Sequence, residues 1–326
     1  MRETVVVTGA AGFIGSHLCE RLLDDGFAVR GVDCFTDYYS PERKRLHLAA
    51  VAGKPGFTLF EEDLTRCDVG RLIDGARAVF HLAAQAGVRR SWGTEFTHYL
   101  ESNILATQRI LEALKDRRGV KLVYSSSSSV YGDTRELPMR EDHPLVPVSP
   151  YGATKLSAEH LCELYRINFG VEYVALRYFT VYGPRQRPDM AFSRFIAAAL
   201  QGGAVEIYGD GAQTRDFTHV SDAIEANVAA FAYRGGERVF NIGGGSRASV
   251  LDVVRIIEEE AGEVRIEFKE RARGDVRDTW ADTTRAAREI GFRPRMGLRE
   301  GVRSEVAWYR EYFAAMEGRP CSHGST

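Results

Sequence analysis

Tyr151-Gly152-Ala153-Thr154-Lys155 sets a phenol and an ammonium four residues apart, which on a helix is one turn along a single face. A tyrosine with a reference pKa of about 10 is a poor base, but a cation held beside it stabilises the phenolate. Such a pair can draw a proton from an alcohol. Just upstream, the strand-like run into Tyr124–Ser129 ends in serine hydroxyls that could orient that alcohol.

A second chemical pattern opens the chain. Thr8-Gly9-Ala10-Ala11-Gly12-Phe13-Ile14-Gly15 follows an apolar strand and leads into a helix. Gly9 suits a tight turn, Gly12 a close approach of backbone to a pyrophosphate, and Gly15 the packing of helix on strand; the helix start offers free N–H groups to phosphate. Asp33, at the end of the next strand, can accept hydrogen bonds from adenosine ribose hydroxyls and repels a 2′-phosphate, so NAD is expected rather than NADP. An oxidised nicotinamide would add a second positive charge beside Tyr151.

The elements that must hold these residues are legible as alternating runs. Strand-like segments at Thr4–Thr8, Ala28–Val32, Thr58–Glu61, Ala78–Leu82, Lys121–Ser125 and Tyr173–Arg177 alternate with amphipathic stretches such as Gly15–Asp24, Thr97–Lys115 and Tyr151–Asn168. Apolar strands separated by helices imply parallel βαβ units, hence an α/β, doubly wound Rossmann sheet with its ligands beyond the strand C-termini. After Gly183-Pro184 the pattern changes. Helices over Phe192–Gln201, Ser249–Ala261, Thr283–Ile290 and Leu298–Phe313, with a strand over Val264–Phe268, suggest a smaller α/β substrate-binding domain. The expected organisation is a cofactor-binding domain over 1–182, to which 217–245 is a candidate return, a second domain over 183–315, and a flexible tail over 316–326.

Bulk properties narrow the function classes. Of 326 residues, 44% are apolar and 27% charged, and the net charge is −2, so neither a nucleic-acid nor an anionic-membrane partner is expected. Cys19, Cys34, Cys67, Cys162 and Cys321 are odd in number and lack CxxC spacing, which argues against a disulfide framework and a metal site. No run has the length and apolarity of a membrane span. Thr4–Val7 already reads as a buried strand, so no leader is expected, and a reducing cytoplasm is the expected address.

The segments TGAAGFIGSHL, HLAAQAGVRRS, YSSSSSVYG, YGATK and RYFTVYGP, in that order across nearly the whole chain, resemble the extended short-chain dehydrogenase/reductases that modify nucleotide sugars. The GxxGxxG spacing is itself a mark of that group. The resemblance implies a triad of Ser127, Tyr151 and Lys155: Tyr151 as base, Ser127 orienting the sugar hydroxyl, and Lys155 binding the nicotinamide ribose and tuning Tyr151. It further implies that Gly9, Gly12, Phe13, Ile14, Gly15, Asp33, Asp63, Leu64, Leu82, Ala83, Ala84, Asn103 and Tyr178 line the NAD site. Taken singly, Asp63 reads equally well as a helix cap. A homodimer through the 97–115 and 151–168 helices is also implied.

Family members begin alike, by oxidising C4 of the sugar. Dehydratases then use an Asp-Glu pair before VYG, and decarboxylases a glutamate immediately before it; here those places hold Ser128 and Ser129. With neither acid, the resemblance implies 4-epimerisation. The stretch from Tyr178 to Ala191 is similar to that of UDP-glucuronate 4-epimerases. A C6 carboxylate needs hydroxyl donors and a cation, which Ser128, Ser129, Thr180 and Arg187 could supply, although Arg185 and Arg187 read equally as solvated loop charges. At the nucleotide end, the resemblance directs Arg215 at the diphosphate and favours Arg273, with Arg271 open, while Phe192 and Arg194 are further candidates. A UDP-glucose or UDP-N-acetylglucosamine 4-epimerase is the nearest alternative. A UDP-glucuronate decarboxylase or a non-catalytic NAD-sensing protein lies further off.

Overall fold

The computed structural model describes residues 2–317; Cys321 and the part of the expected tail from 318 onward lie outside them. Through residue 182 the chain runs β1 (Thr4–Thr8), α1 (Phe13–Asp24), β2 (Ala28–Asp33), α2 (Pro41–His47), β3 (Phe57–Glu61), α3 (Val69–Ile73), β4 (Ala76–His81), α4 (Phe96–Tyr99), α5 (Ala106–Leu114), β5 (Lys121–Ser127), α6 (Pro150–Phe169), β6 (Glu172–Tyr178) and β7 (Val181–Tyr182). It continues with α7 (Ala191–Gln201), β8 (Ala204–Tyr208), β9 (Thr214–His219), α8 (Val220–Ala232), β10 (Val239–Ile242), β11 (Ser246–Ser249), α9 (Val250–Ala261), β12 (Arg265–Lys269), α10 (Thr284–Glu289) and α11 (Leu298–Glu317).

Seven strands form one sheet in the order β10-β6-β5-β4-β1-β2-β3, with every neighbouring pair parallel. The order steps outward from β1 in both directions, which opens a crevice at the strand C-termini where phosphate-bearing ligands sit in such sheets. Val5, Val7, Phe80, Val123 and Leu176 face one layer, which includes Leu18 and Leu22 of α1 and Ala223 and Ala230 of α8. Val6, Val79, Leu122 and Ala175 face the other, with Leu72, Ile110, Leu111 and Cys162 from α3, α5 and α6. Covering both faces explains why these strands read as unbroken apolar runs. Each fully buried side chain of this size contributes roughly 1.5–3 kcal/mol.

The second half builds a smaller layer from a three-stranded sheet, β11-β9-β7, and a parallel pair, β12-β8. Phe192, Phe195, Ile196, Val253, Ile257, Val302 and Val306 close a separate core between α7, α9 and α11. β10 joins the large sheet beside β6, and α8 packs on its face, whereas residues 217–219 lie in β9 of the small sheet. The return to the large sheet therefore starts at α8 and not at Phe217.

Two further expectations are corrected, and one element is added. The helix expected over 97–115 is interrupted: Leu100–Leu105 winds as a wider π-helical turn between α4 and α5, a feature that apolar spacing does not announce. The last helix extends through Glu317, so residues 316 and 317 are helical and not tail. A short helix, α2, was not anticipated because PERKRLH has no apolar stripe. Its Arg43, Lys44 and His47 are buried by neighbours distant in sequence.

Candidate active site

The glycine loop packs tightly against its own neighbours and lines the cleft. Gly9 has φ +68°, and a Cβ there would stand 2.8 Å from the Ala83 nitrogen; a Cβ on Gly15 would overlap the Gly9 carbonyl. Gly12 caps α1 without any side-chain bond, so the first N–H groups of the helix stay available for an anion. Behind the loop, Asp33 accepts from Ala11 N–H at 3.0 Å and Phe35 N–H at 2.9 Å. Burial raises its carboxyl while those two bonds and the nearby Lys44 charge oppose the rise.

His81 closes β1 onto β4. Thr107 gives its hydroxyl proton to the Asn103 carbonyl, so it accepts from His81 Nε2, and His81 Nδ1 accepts in turn from Thr8, whose oxygen also takes the Ala83 N–H. That chain requires a neutral imidazole, consistent with burial lowering its pKa to about 3. It also holds the backbone of Ala83, one of the cleft-lining residues.

The Tyr–Lys pair is delivered by α6. Ser149 caps the helix through Gly152 N–H at 3.1 Å. A Cβ on Gly152 would come within 2.5 Å of the Ser129 carbonyl, so the start of α6 lies directly on the serine turn. Lys155 Nζ donates to the Ser125 carbonyl at 2.9 Å and lies 5.2 Å from the centre of the Tyr124 ring. Burial brings the Lys155 ammonium down to about 8, with the Glu159 charge opposing. Burial raises Tyr151, with the nearby Ser127 hydroxyl and the Arg187 charge opposing. Ser127 Oγ donates to Ser129 Oγ at 3.1 Å and accepts from Ser129 N–H at the same distance.

The Arg187 loop is clamped from behind. Gly183 N–H donates to Glu305 Oε2 at 2.9 Å, Arg43 Nη2 donates to the Gln186 carbonyl at 2.8 Å, and Gln186 ties Val181 to Ser193. Arg187 itself makes a two-pronged pair with Asp189, at 3.0 and 2.9 Å. At the far end, Arg215 spends its N–H groups on the carbonyls of Thr214, Val276 and Arg277. Burial lowers its pKa, with Asp275 and Asp278 opposing. Arg89 bonds Asp275 at 2.8 Å and lies 4.0 Å from the Tyr208 ring centre.

One cleft of about 700 Å³ joins these parts. Its wall includes Gly9, Gly12, Phe13, Ile14, Gly15, Asp33, Asp63, Leu64, Leu82, Ala83, Ala84 and Tyr178, then Ser127, Ser128, Ser129, Tyr151, Lys155, Thr180 and Arg187, and finally Phe192, Arg194 and Arg215. Two expected residues are not in that wall. Asn103 is buried behind it, where it binds the Gln85 backbone and the Thr154 hydroxyl. Arg273 is exposed outside it, and Arg271 bonds the Asp275 carbonyl and also lies outside. Sequence reasoning overlooked Tyr38, Arg89, Asp189 and Asp275, all in the wall. Arg89 and Asp189 stand inside the quoted motifs, and Asp275 directly follows Arg273-Gly274. Among the described residues no His/Cys/Asp/Glu group could hold a metal ion.

Residues 5–243 match the family described as NAD dependent epimerase/dehydratase. An uncharacterized UDP-glucose epimerase, YtcB, of Bacillus subtilis is 44% identical over 93% of this chain and 97% of its own. The crystal structure of UDP-glucuronic acid 4-epimerase from Bacillus cereus, in complex with UDP-glucuronic acid and NAD, is 41% identical and superposes with a TM-score of 0.91 over 95% of this chain and 99% of that one. MoeE5 in complex with UDP-glucose and NAD is 44% identical, with a TM-score of 0.86 over 95% and 99% of the two chains.

Proposed function

This chain belongs to the NAD dependent epimerase/dehydratase family, and on that footing we propose that it interconverts UDP-glucuronate and UDP-galacturonate by 4-epimerisation with NAD. The observation that carries this reading is the composition of one wall: Tyr151 shares a cleft with Ser128, Ser129, Thr180 and the half-buried cation Arg187, and no acid occupies 128 or 129. A Cβ at Gly9 or Gly15 would collide with the protein's own backbone, so glycine keeps the tight turn that presents the start of α1, and Asp33 suits a ribose; those residues fit a dinucleotide.

NAD, held by the glycine loop and Asp33, would supply the acceptor for hydride from C4 of the sugar and the hydride that is later returned. Tyr151 removes the C4 hydroxyl proton, Ser127 orients that hydroxyl, and Lys155 holds the nicotinamide ribose and stabilises the phenolate. The keto sugar then turns its opposite face to the cofactor, and Tyr151 gives the proton back. A 4-keto uronate is a β-keto acid, prone to lose CO₂. Ser128, Ser129, Thr180 and Arg187 protect it by holding the carboxylate away from alignment with the carbonyl π system. Phe192, Arg194 and Arg215 serve the nucleotide end. There Arg89, within the wall, is a better partner for the diphosphate than Arg273, which lies outside it.

Residues 1–182, with α8 and β10, form the cofactor-binding half in this reading, and 183–315 otherwise form the nucleotide-sugar half. Leu100 and Leu105 before α5 and Leu164 and Ile167 on α6 are exposed apolar residues on the helices expected to pair, which supports a homodimer. Cys19, Cys34, Cys67 and Cys162 are free thiols, in keeping with a reducing cytoplasm. No described helix is long and apolar enough to cross a membrane.

A neutral-sugar 4-epimerase is the second reading, favoured by the likeness to MoeE5 solved with UDP-glucose. Incubation with UDP-glucuronate, UDP-glucose and UDP-N-acetylglucosamine in turn, with the epimers resolved by NMR, decides between them. Turnover of the neutral sugars alone would remove the uronate reading, and release of UDP-pentose with CO₂ would point to a decarboxylase.

A further inference from the structure

Arg187 already has an anion at its side. Its Nε and Nη2 donate to the two oxygens of Asp189 at 3.0 and 2.9 Å. Tyr38 steadies the same carboxylate, donating its hydroxyl to Asp189 Oδ2 at 3.1 Å, with its ring 5.6 Å from the Arg187 guanidinium carbon. All three residues line the cleft. Burial opposes both charges; the pairing holds Arg187 above its ordinary value and Asp189 below. A guanidinium has five N–H groups in a rigid fork. Asp189 takes one edge, and the end formed by Nη1 and the outer N–H of Nη2 is left for a second carboxylate.

We propose that Asp189 is a positioning residue that sets the strength with which Arg187 grips a sugar carboxylate, and so the preference of the site for charged over neutral sugars. The inference rests on the reading of Arg187 as the partner of the C6 carboxylate. Because Asp189 neutralises the arginine in advance, an arriving uronate gains only the difference between one carboxylate and two. A neutral sugar leaves Arg187 paired with Asp189, so the site does not strand a half-buried cation when the ligand lacks an acid. During epimerisation the keto sugar must turn while its carboxylate stays held, so the grip of Arg187 has to be weak enough to let the ring move. Asp189 retains the arginine throughout that movement, which lowers its cost.

The test is calorimetric titration of the NAD-loaded protein with UDP-glucuronate and with UDP-glucose. Asp189→Asn keeps the shape and removes the competing charge. It should tighten UDP-glucuronate by about threefold to tenfold, leave UDP-glucose unchanged, and lower kcat for the uronate while lowering its KM. Asp189→Glu, which restores a carboxylate, should return both values towards those of the unaltered protein. Equal weakening of both sugars would mark Asp189 as mere loop support, and unchanged affinities would mark it as irrelevant; either overturns the proposal. Failure of the unaltered protein to epimerise UDP-glucuronate would sink the proposed reaction, while the affinity comparison would still judge Asp189.

Discussion

The Lys155 ammonium donates to the Ser125 carbonyl 2.9 Å away, and this bond ties the helix carrying Tyr151 to the strand that ends at Ser127. It is the contact through which two sequence-distant parts of the proposed triad acquire a common frame. Because burial brings Lys155 down to about 8, its charge is present below that pH and lost as pH rises through it. The phenolate loses its support in the same range. An alkaline limb in kcat/KM near pH 8 is therefore expected. Lys155→Arg, which cannot deprotonate in that range, should remove the limb even if overall activity falls. Tyr151→Phe should cost about 10²- to 10⁴-fold in turnover and leave NAD binding intact; unchanged turnover would refute the assigned base.

One turn further along α6, Glu159 forms a buried two-pronged pair with Arg177, at 3.0 and 2.7 Å, and also accepts from the Ser126 hydroxyl. Arg177 further donates to Tyr131 at 2.9 Å. Breaking one side leaves an unpaired buried charge, so Glu159→Ala should lose about 3–5 kcal/mol in chemical denaturation. Replacing both partners by apolar residues, Glu159→Leu with Arg177→Met, should recover most of that loss. If the double variant is as unstable as the single, the pair is stabilising in itself and the desolvation argument is wrong.

Three buried histidines, His47, His81 and His219, and the half-buried His17 make stability fall in acid. Burial lowers His17 and His219 to about 4 and His47 and His81 to about 3, against 6.5 when exposed. The unfolded chain then binds protons the folded one refuses, so stability is full above 6.5 and declines as pH falls towards the folded values. Each histidine contributes about 1.4 kcal/mol per pH unit in that window. Denaturation midpoints at pH 7.5, 6 and 5 should drop progressively, and His47→Gln should flatten the slope. A midpoint independent of pH would contradict the buried neutral state.

Glu305 carries the opposite sign. Burial raises its carboxyl well above the ordinary value, with the Gly183 N–H bond and the Arg43 charge opposing. Its contribution is present below about pH 4.5 and lost as pH rises through the raised folded value. Glu305→Gln keeps an acceptor for Gly183 without an ionisation to suppress. It should gain stability over the unaltered protein at pH 8 relative to pH 5, read by denaturant titration at both values.

Much of the frame was readable from residue order, and the reasons are physical. β1, β4, β5 and β6 are covered on both faces, so each leaves an apolar run. Gly9 and Gly15 carry steric requirements that no other residue meets. What escaped was anything defined by a partner far along the chain. Asp189 matters because Tyr38 folds onto it from 151 positions away, and Arg89 because Asp275 and Tyr208 come to it from the other half. Asn103 was legible as a residue near the cofactor loop, but not as a buried brace between Gln85 and Thr154. The two-residue strand β7 is too short to leave a period.

The serine turn yields the last prediction. Ser128 and Ser129 line the cleft where relatives with other chemistry are expected to carry acids, and both offer only neutral hydroxyls to a ligand. Ser129→Glu would bring a carboxylate to the wall that Arg187 shares. A uronate would then face a like charge competing for the same cation, whereas a neutral sugar would meet only the added bulk. The affinity for UDP-glucuronate should fall by about tenfold more than that for UDP-glucose, a difference of about 1.4 kcal/mol, with Ser129→Gln as the control for size. Equal losses for both sugars in the Glu variant would mean that the sugar's acid does not reach this wall, and Arg187 would need another role.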